Sequence, residues 1–169
     1  MTLAQLNGLD NDAFVAVVGP VFEDSPWIAR AVAERRPFAS LDALYAELVG
    51  VVRGAGESRQ TALIASHPDL AGRVAREGRL TAASATEQAS AGLDVLSADE
   101  RTRFDELNAA YRARFGFPFV ICVREHTKSS ILAAMQWRIG NSRDEEVDEA
   151  LREIEAIADL RLHDLVSEE

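Results

Sequence analysis

Apolar positions along the chain recur with helical spacing, and no strand-like alternation persists for a useful length. After Asp10, NDAFVAVVG reads as a short helix stopped by Gly19 and Pro20. Ser25 precedes Pro26, which takes a first helical position for PWIARAVAERR, a segment that runs to Pro37. Ser40 is placed to cap LDALYAELVGVVR, which ends at Gly54 and Gly56. SRQTALIAS then runs to the residue before Pro68. Proline biases its predecessor away from helical geometry, so His67 falls at or just past a helix C-terminus. A second helical block opens at Ser84. Ser97 and Glu100 form a capping-box pattern ahead of RTRFDELNAAYRARFG, where Phe104, Leu107, Tyr111 and Phe115 make one apolar stripe closed by Gly116. FPFVICV is expected to be extended and buried, and KSSILAAMQWRIG to be the next helix. Ser142 and Glu145 repeat the capping-box pattern and open a long terminal helix. No repeat, low-complexity tract or linker interrupts the pattern. The expectation is an all-α, single-domain helical bundle over residues 1–169, with about seven or eight helices.

Composition narrows the function classes. The chain has 169 residues, 47% of them apolar, enough for one domain with a real core. A net charge of −10 argues against a non-specific nucleic-acid binder and against a peripheral binder of anionic membranes, both of which need a basic surface. Cys122 is the one cysteine, so no intramolecular disulfide is possible, and no Cys/His cluster has metal-site spacing. No apolar run approaches the ~20 residues of a membrane span. MTLAQLNGLD lacks the basic and apolar regions of a secretory signal, and the terminal SEE is not a peroxisomal address. A cytoplasmic protein is expected.

Four places carry candidate chemistry. In the terminal helix, Val147, Leu151, Ile154, Ala158, Arg161 and Leu165 share one face, five apolar and one charged. Arg161 either snorkels to water near the helix end or is buried against a partner. Ser84 and Glu87 match a capping box; the other reading makes Glu87 a carboxylate near a helix N-terminus that orients an imidazole, with Gln88 offering a donor and an acceptor to a planar ligand. His67 is either structural or, paired with a carboxylate, a proton carrier near neutral pH. Within FGFPFVICV, the extended backbone is either internal packing or an edge whose N–H and C=O groups meet a flat, amide-rich ligand. Cys122 has no activating base nearby in sequence and reads as a small apolar filler.

Taken together and in order, these segments resemble the 2-oxo-4-hydroxy-4-carboxy-5-ureidoimidazoline (OHCU) decarboxylase family of urate degradation. The resemblance rests on FEDSPWIA (22–29), RPF (36–38), HPDLAG (67–72), LTAAS with EQ (80–88), AGLDVL (91–96), LNAAY (107–111), RFGFPFV (114–120) and LRLHDL (160–165). It implies an all-helical homodimer, free of metal and organic cofactor, that decarboxylates OHCU to (S)-allantoin. By motif match His67 is catalytic and Glu87 orients it. Pro68, the stretch Ser84, Ala85, Thr86, Glu87 and Gln88, the backbone of Phe119, Val120, Ile121, Cys122 and Val123, and Arg161 would hold substrate. Some family members end in a peroxisomal tripeptide or are fused to a transthyretin-like hydrolase, and this sequence shows neither. A functional link to a separate 5-hydroxyisourate hydrolase and a urate-oxidising enzyme is therefore expected. Two alternatives stand beside this reading. One is a non-catalytic helical interaction module. The other is a J-domain-like co-chaperone, whose His-Pro-Asp follows a basic helix; here the preceding ESRQTALIAS holds a single arginine.

Overall fold

The computed structural model of the protein describes residues 1–168, apart from the side chain of Val74. Among the described residues the only regular elements are helices, with a lone parallel bridge between Thr2 and Ser167. The all-α expectation holds. Among the described residues seven helices have eight residues or more and three are shorter. Contacts gather into two compact units, Met1–Ser66 with Glu155–Glu169, and His67–Ile154.

The first unit opens with α1 (Leu3–Asn7), whose N-terminus is closed by a reciprocal box between Thr2 and Gln5. In α2 (Asn11–Val18) the Asp10 carboxylate accepts the Ala13 N–H at 2.8 Å. A 3-10 turn, Gly19–Val21, leads toward α3 (Trp27–Val32). Pro26, not Ser25, is the boundary residue of α3, and the segment relaxes into a second 3-10 turn at Ala33–Arg35 before reaching Pro37. Ser40 caps α4 (Leu41–Gly54) by accepting from Ala43 N–H at 3.0 Å, as its position suggested. Leu41, Leu44, Leu48 and Val52 of α4 are buried, and α4 packs against α3. Leu6, Phe14, Val18, Ile28 and Val32 complete this core at 0% exposure, each such side chain contributing ~1.5–3 kcal/mol relative to exposure. Helix α5 (Glu57–Ala65) ends at Ser66, so His67 lies just past its C-terminus.

The second unit holds α6 (Arg73–Arg76), α7 (Ala82–Ser90), α8 (Ala98–Phe115) and α9 (Lys128–Arg138). Both partners of the Ser97–Glu100 box are in place, and Gly116 closes α8 at φ 80°, a left-handed position that a side chain would strain. Phe104, Tyr111 and Phe115 of the α8 stripe are buried as expected. Asn108 is buried in place of Leu107, because its amide holds a loop carbonyl described below. Residues 117–122 run buried and without helical structure; the extended expectation ends there, since Val123 begins a 3-10 turn, Val123–Glu125.

The terminal helix α10 (Arg143–Leu165) contributes residues to both units. Ser142 and Glu145 exchange their expected capping contacts at 2.8 and 3.3 Å. Leu151, Ile154, Ala158 and Arg161 of its predicted stripe are buried, whereas Val147 is half-buried and Leu165 is 41% exposed. Glu146, Ala150, Ile157 and Leu162 are buried instead, so the inward face is about two residues wide per turn, as a helix in a core requires.

Candidate functional site

The segment around His67 is shaped by sterics that the HPDLAG motif satisfies. His67 is buried at 7% exposure and Pro68 is half-buried. The chain then turns sharply through Ala71, which adopts φ 51°, a left-handed conformation costly for alanine. A Cβ on Gly72 would stand 2.7 Å from the Asp69 Cβ and 3.1 Å from its carbonyl, so only glycine fits there without displacement. Two buried amides hold the turn. Ala71 N–H donates to Gln88 Oε1 at 2.9 Å, and Asn108 Nδ2 donates to the Leu70 carbonyl at 3.0 Å. Asn108 Oδ1 is the one buried side-chain polar atom without a partner among the described residues. At the surface Arg112 Nε reaches both Asp69 oxygens at 2.9 and 3.1 Å.

Helix α7 overturns the capping-box reading of Ser84 and Glu87. The N-cap is Thr81, whose hydroxyl accepts from Ser84 N–H at 3.3 Å. Ser84 is therefore inside the helix, and Glu87 is half-buried in its second turn. The favourable field of a helix N-terminus falls off within the first turn, so it does not account for Glu87. Ser84, Glu87 and Gln88 share one face, with Ser84 and Gln88 buried at 5% exposure each, while Ala85 and Thr86 are exposed. The oxygen of Gln88 is already committed to Ala71, which leaves the amide N–H groups as what it can offer a ligand.

The run 117–123 is clamped from the side by charged groups that sequence reading passed over. Glu153 Oε2 accepts the Cys122 N–H at 2.8 Å, and Arg138 Nη1 donates to the Val120 carbonyl at 2.9 Å. Arg138 lies over the Phe119 ring, 4.3 Å from its centroid. Its guanidinium pairs with Glu146, Nε at 2.9 Å and Nη2 at 2.5 Å from Oε1, with both side chains almost wholly buried. Asn141 Nδ2 at 2.8 Å and the Tyr111 hydroxyl complete the shell around that carboxylate. Burial first, and then Glu146, push the Tyr111 hydroxyl far above its ordinary 10.0, so it remains a donor. Burial likewise raises the Cys122 thiol to about 11, with the carboxylates of Glu125, Glu153 and Glu87 adding to the effect. Cys122 is 1% exposed, and a thiol held protonated and away from solvent is a poor nucleophile.

Within the second unit three distant segments meet. The turn after His67 is bonded to Gln88, α7 packs against the 3-10 turn that follows Cys122, and the field of Glu87 reaches the Cys122 thiol. A neighbouring cleft of about 350 Å³ is lined by Ala71, Ala85, Ala89 and Leu93 together with Arg76 and Arg101. It shares only Ala85 and Gln88 with the predicted site and includes neither His67 nor Glu87. The described residues contain no group of three or more His, Cys, Asp or Glu side chains placed to hold a metal ion.

Arg161 belongs to the first unit, and the snorkelling reading fails there. It is 6% exposed, and its Nη1 donates to Glu23 Oε2 at 3.0 Å and to the Val21 carbonyl at 3.5 Å. The carboxylate of Glu23 is itself 4% exposed. Glu23 lies in the FEDSPWIA segment but is separated from Arg161 by 138 positions, so no local signal in the sequence couples them.

The OHCU decarboxylase family model matches residues 7–163. A relative from Haloferax volcanii, 2-oxo-4-hydroxy-4-carboxy-5-ureidoimidazoline decarboxylase, is 43% identical over 169 residues, all of this chain and 98% of that one. The uric acid degradation bifunctional protein of a Bacillus species is 38% identical over 168 residues, 99% of this chain but 33% of that longer protein. A solved structure of (S)-allantoin synthase superposes with a TM-score of 0.80 at 26% identity, covering 99% of this chain; the chain spans about half, 54%, of that solved chain. A match over nearly its whole length, joined to full-length identity above two-fifths, places this chain in the OHCU decarboxylase family.

Proposed function

We propose that the chain decarboxylates OHCU to (S)-allantoin without a cofactor, as a single catalytic domain. The observation that carries this reading is that the turn after His67 is bonded to Gln88 and that α7, which bears Ser84, Glu87 and Gln88, packs against the 3-10 turn that begins at Val123. The names borne by the Haloferax relative and the solved allantoin synthase support it, and the family match across both units supports the single domain.

The chemistry asks little of the protein beyond placement. Breaking the bond from C4 to the carboxylate releases CO₂ and leaves an electron pair on C4. The adjacent C5=N imine of the substrate accepts that pair, giving an enol-like intermediate with no need for an imported electron sink. One proton overall replaces the CO₂: the imine nitrogen takes it up as the electron pair arrives, and the enol then becomes the ring carbonyl as the C4 hydroxyl gives up its proton and C5 is protonated on one face. On this reading His67, oriented by Glu87, moves the proton at C5 or at the C4 hydroxyl. The Gln88 amide N–H groups and the backbone of 119–123 hold the amide-rich ring edge. Arg161, by its motif match, stabilises charge spreading onto the ring oxygen, where an aligned donor has most effect. Delivery to a single face yields a single enantiomer.

The same reading makes the protein a cytoplasmic homodimer acting after a urate-oxidising enzyme and 5-hydroxyisourate hydrolase. The bifunctional Bacillus relative supports that pathway link. No described helix is long and apolar enough to cross a membrane. To test the activity, OHCU is generated in situ from urate and the optical rotation of the product is followed. Wild-type protein should yield optically active allantoin, while His67→Asn should fold normally and yield the racemate of spontaneous decay. Unaltered turnover by His67→Asn would remove the histidine from the mechanism.

A further inference from the structure

We propose that Glu23 is a positioning residue for the decarboxylation, one that fixes the Arg161 guanidinium and cancels its net charge. The inference rests on the functional reading above, in which Arg161 binds substrate. A buried arginine could be matched by any acceptor; here the acceptor is itself a buried carboxylate, delivered by a strained turn. The Ser25 N–H donates back to the Phe22 carbonyl at 3.2 Å, and Asp24, the third residue of that turn, takes a left-handed φ of 44°. That turn sends Asp24 to solvent and leaves Glu23 at 4% exposure, facing Arg161. The two N–H bonds of Nη1 lie in the guanidinium plane. Two acceptors on one short segment, the Val21 carbonyl and Glu23 Oε2, therefore set the orientation of that plane. The main chain of Glu23 is anchored as well. The Ser66 hydroxyl lies 2.8 Å from the Glu23 carbonyl and 2.7 Å from the Leu63 carbonyl, and shares its single proton between them.

The charge balance has a kinetic meaning. The substrate enters with a carboxylate that leaves as neutral CO₂. A bare guanidinium in a dry site would bind the departing carboxylate strongly and hold back its loss, because only interactions stronger in the transition state than in the ground state speed the chemical step. With Glu23 beside it, Arg161 acts as an oriented hydrogen-bond donor carrying little net charge.

The test is a double-mutant cycle on the purified protein with OHCU generated in situ, using E23Q, R161M and the pair together, each checked by thermal melting. E23Q should lower kcat by about ten- to a hundred-fold, as displaced positioning groups do, without raising KM. In the R161M background E23Q should change kcat/KM by less than about twofold, since a residue acting through Arg161 has nothing left to act on. An equal loss in both backgrounds, or E23Q with wild-type kcat, overturns the proposal. If E23Q does not hold its fold, E23D takes its place in the cycle, and additive effects overturn the proposal in the same way. Wild-type protein that makes no optically active allantoin, or R161M with wild-type kinetics, would instead bring down the functional reading itself. R161M impaired while E23Q is harmless removes only the role of Glu23.

Discussion

Replacing Glu146 by glutamine isolates the buried charge behind the run 119–123. Glutamine keeps the shape and one acceptor oxygen, so the perturbation is the loss of charge and not of volume. Glu146 is 0% exposed, and its partner Arg138 has a side chain only 3% exposed, so solvent screening offers no discount. Removing one member of such a pair typically costs ~3–5 kcal/mol, because the other charge stays buried and uncompensated. Two features favour the low end. The glutamine oxygen still accepts from Arg138, and Glu153 stands 3.9 Å from Arg138 Nη1 as a second, more distant carboxylate. The expected loss is therefore about 3 kcal/mol, or roughly 6–12 °C in Tm for a chain of this size. Urea unfolding followed by far-UV circular dichroism and by tryptophan fluorescence should show a lower midpoint with unchanged slope. Trp27 and Trp137 report on the first and second unit respectively, so coincident transitions also test whether the two unfold together. Tyr111→Phe serves as the companion, removing one hydrogen bond to a charged group for ~1.5–3 kcal/mol and leaving the ion pair intact. A Glu146→Gln variant within ~0.5 kcal/mol of wild type would refute the argument, since that is the range of surface substitutions.

Two further outcomes follow from local geometry. Gly72→Ala drives a Cβ to 2.7 Å from the Asp69 Cβ; the turn beside His67 must shift, at ~1–3 kcal/mol, and kcat should fall with it. Wild-type stability and turnover in Gly72→Ala would show that the turn yields freely. Glu100 and Glu145 have carboxyls held below their ordinary 4.5, Glu100 mainly by the Ser97 N–H and then by Lys128, and Glu145 by the Ser142 hydroxyl and N–H. A depressed folded-state pKa stabilises above the unfolded value and ceases to do so as pH falls through the folded one. The stability gap between wild type and Glu100→Gln/Glu145→Gln should therefore be full well above the ordinary carboxylate value and shrink as the pH falls below it, closing through the lowered folded-state value; a gap that widens in acid would contradict this sign.

The local rules were legible along the chain wherever a short-range reason existed. Ser40, Ser97 and Ser142 cap helices where their spacing placed them, Gly116 ends α8, and Pro68 puts His67 past a C-terminus. The same reasoning misplaced the start of α7. The Ser84–Glu87 spacing matches a capping box, yet Thr81 stands three residues earlier and takes the cap, which moves Glu87 into the second turn, half-buried on the face it shares with Ser84 and Gln88. Leu107 likewise looked like the stripe residue of α8, but the deeper place went to Asn108 because a buried carbonyl at Leu70 required its amide.

What the sequence determined by itself was the helical class, most helix ends, and the residue types able to move a proton or hold a flat polar ligand, since each depends on neighbours within a few positions. What only the tertiary structure decided was which charges are buried together: Arg161 with Glu23 and Arg138 with Glu146. Pairing of buried charges is governed by distance through space and by the exclusion of water. Neither leaves a periodic trace along the chain, so partners 138 and 8 positions apart look alike until the fold brings them together.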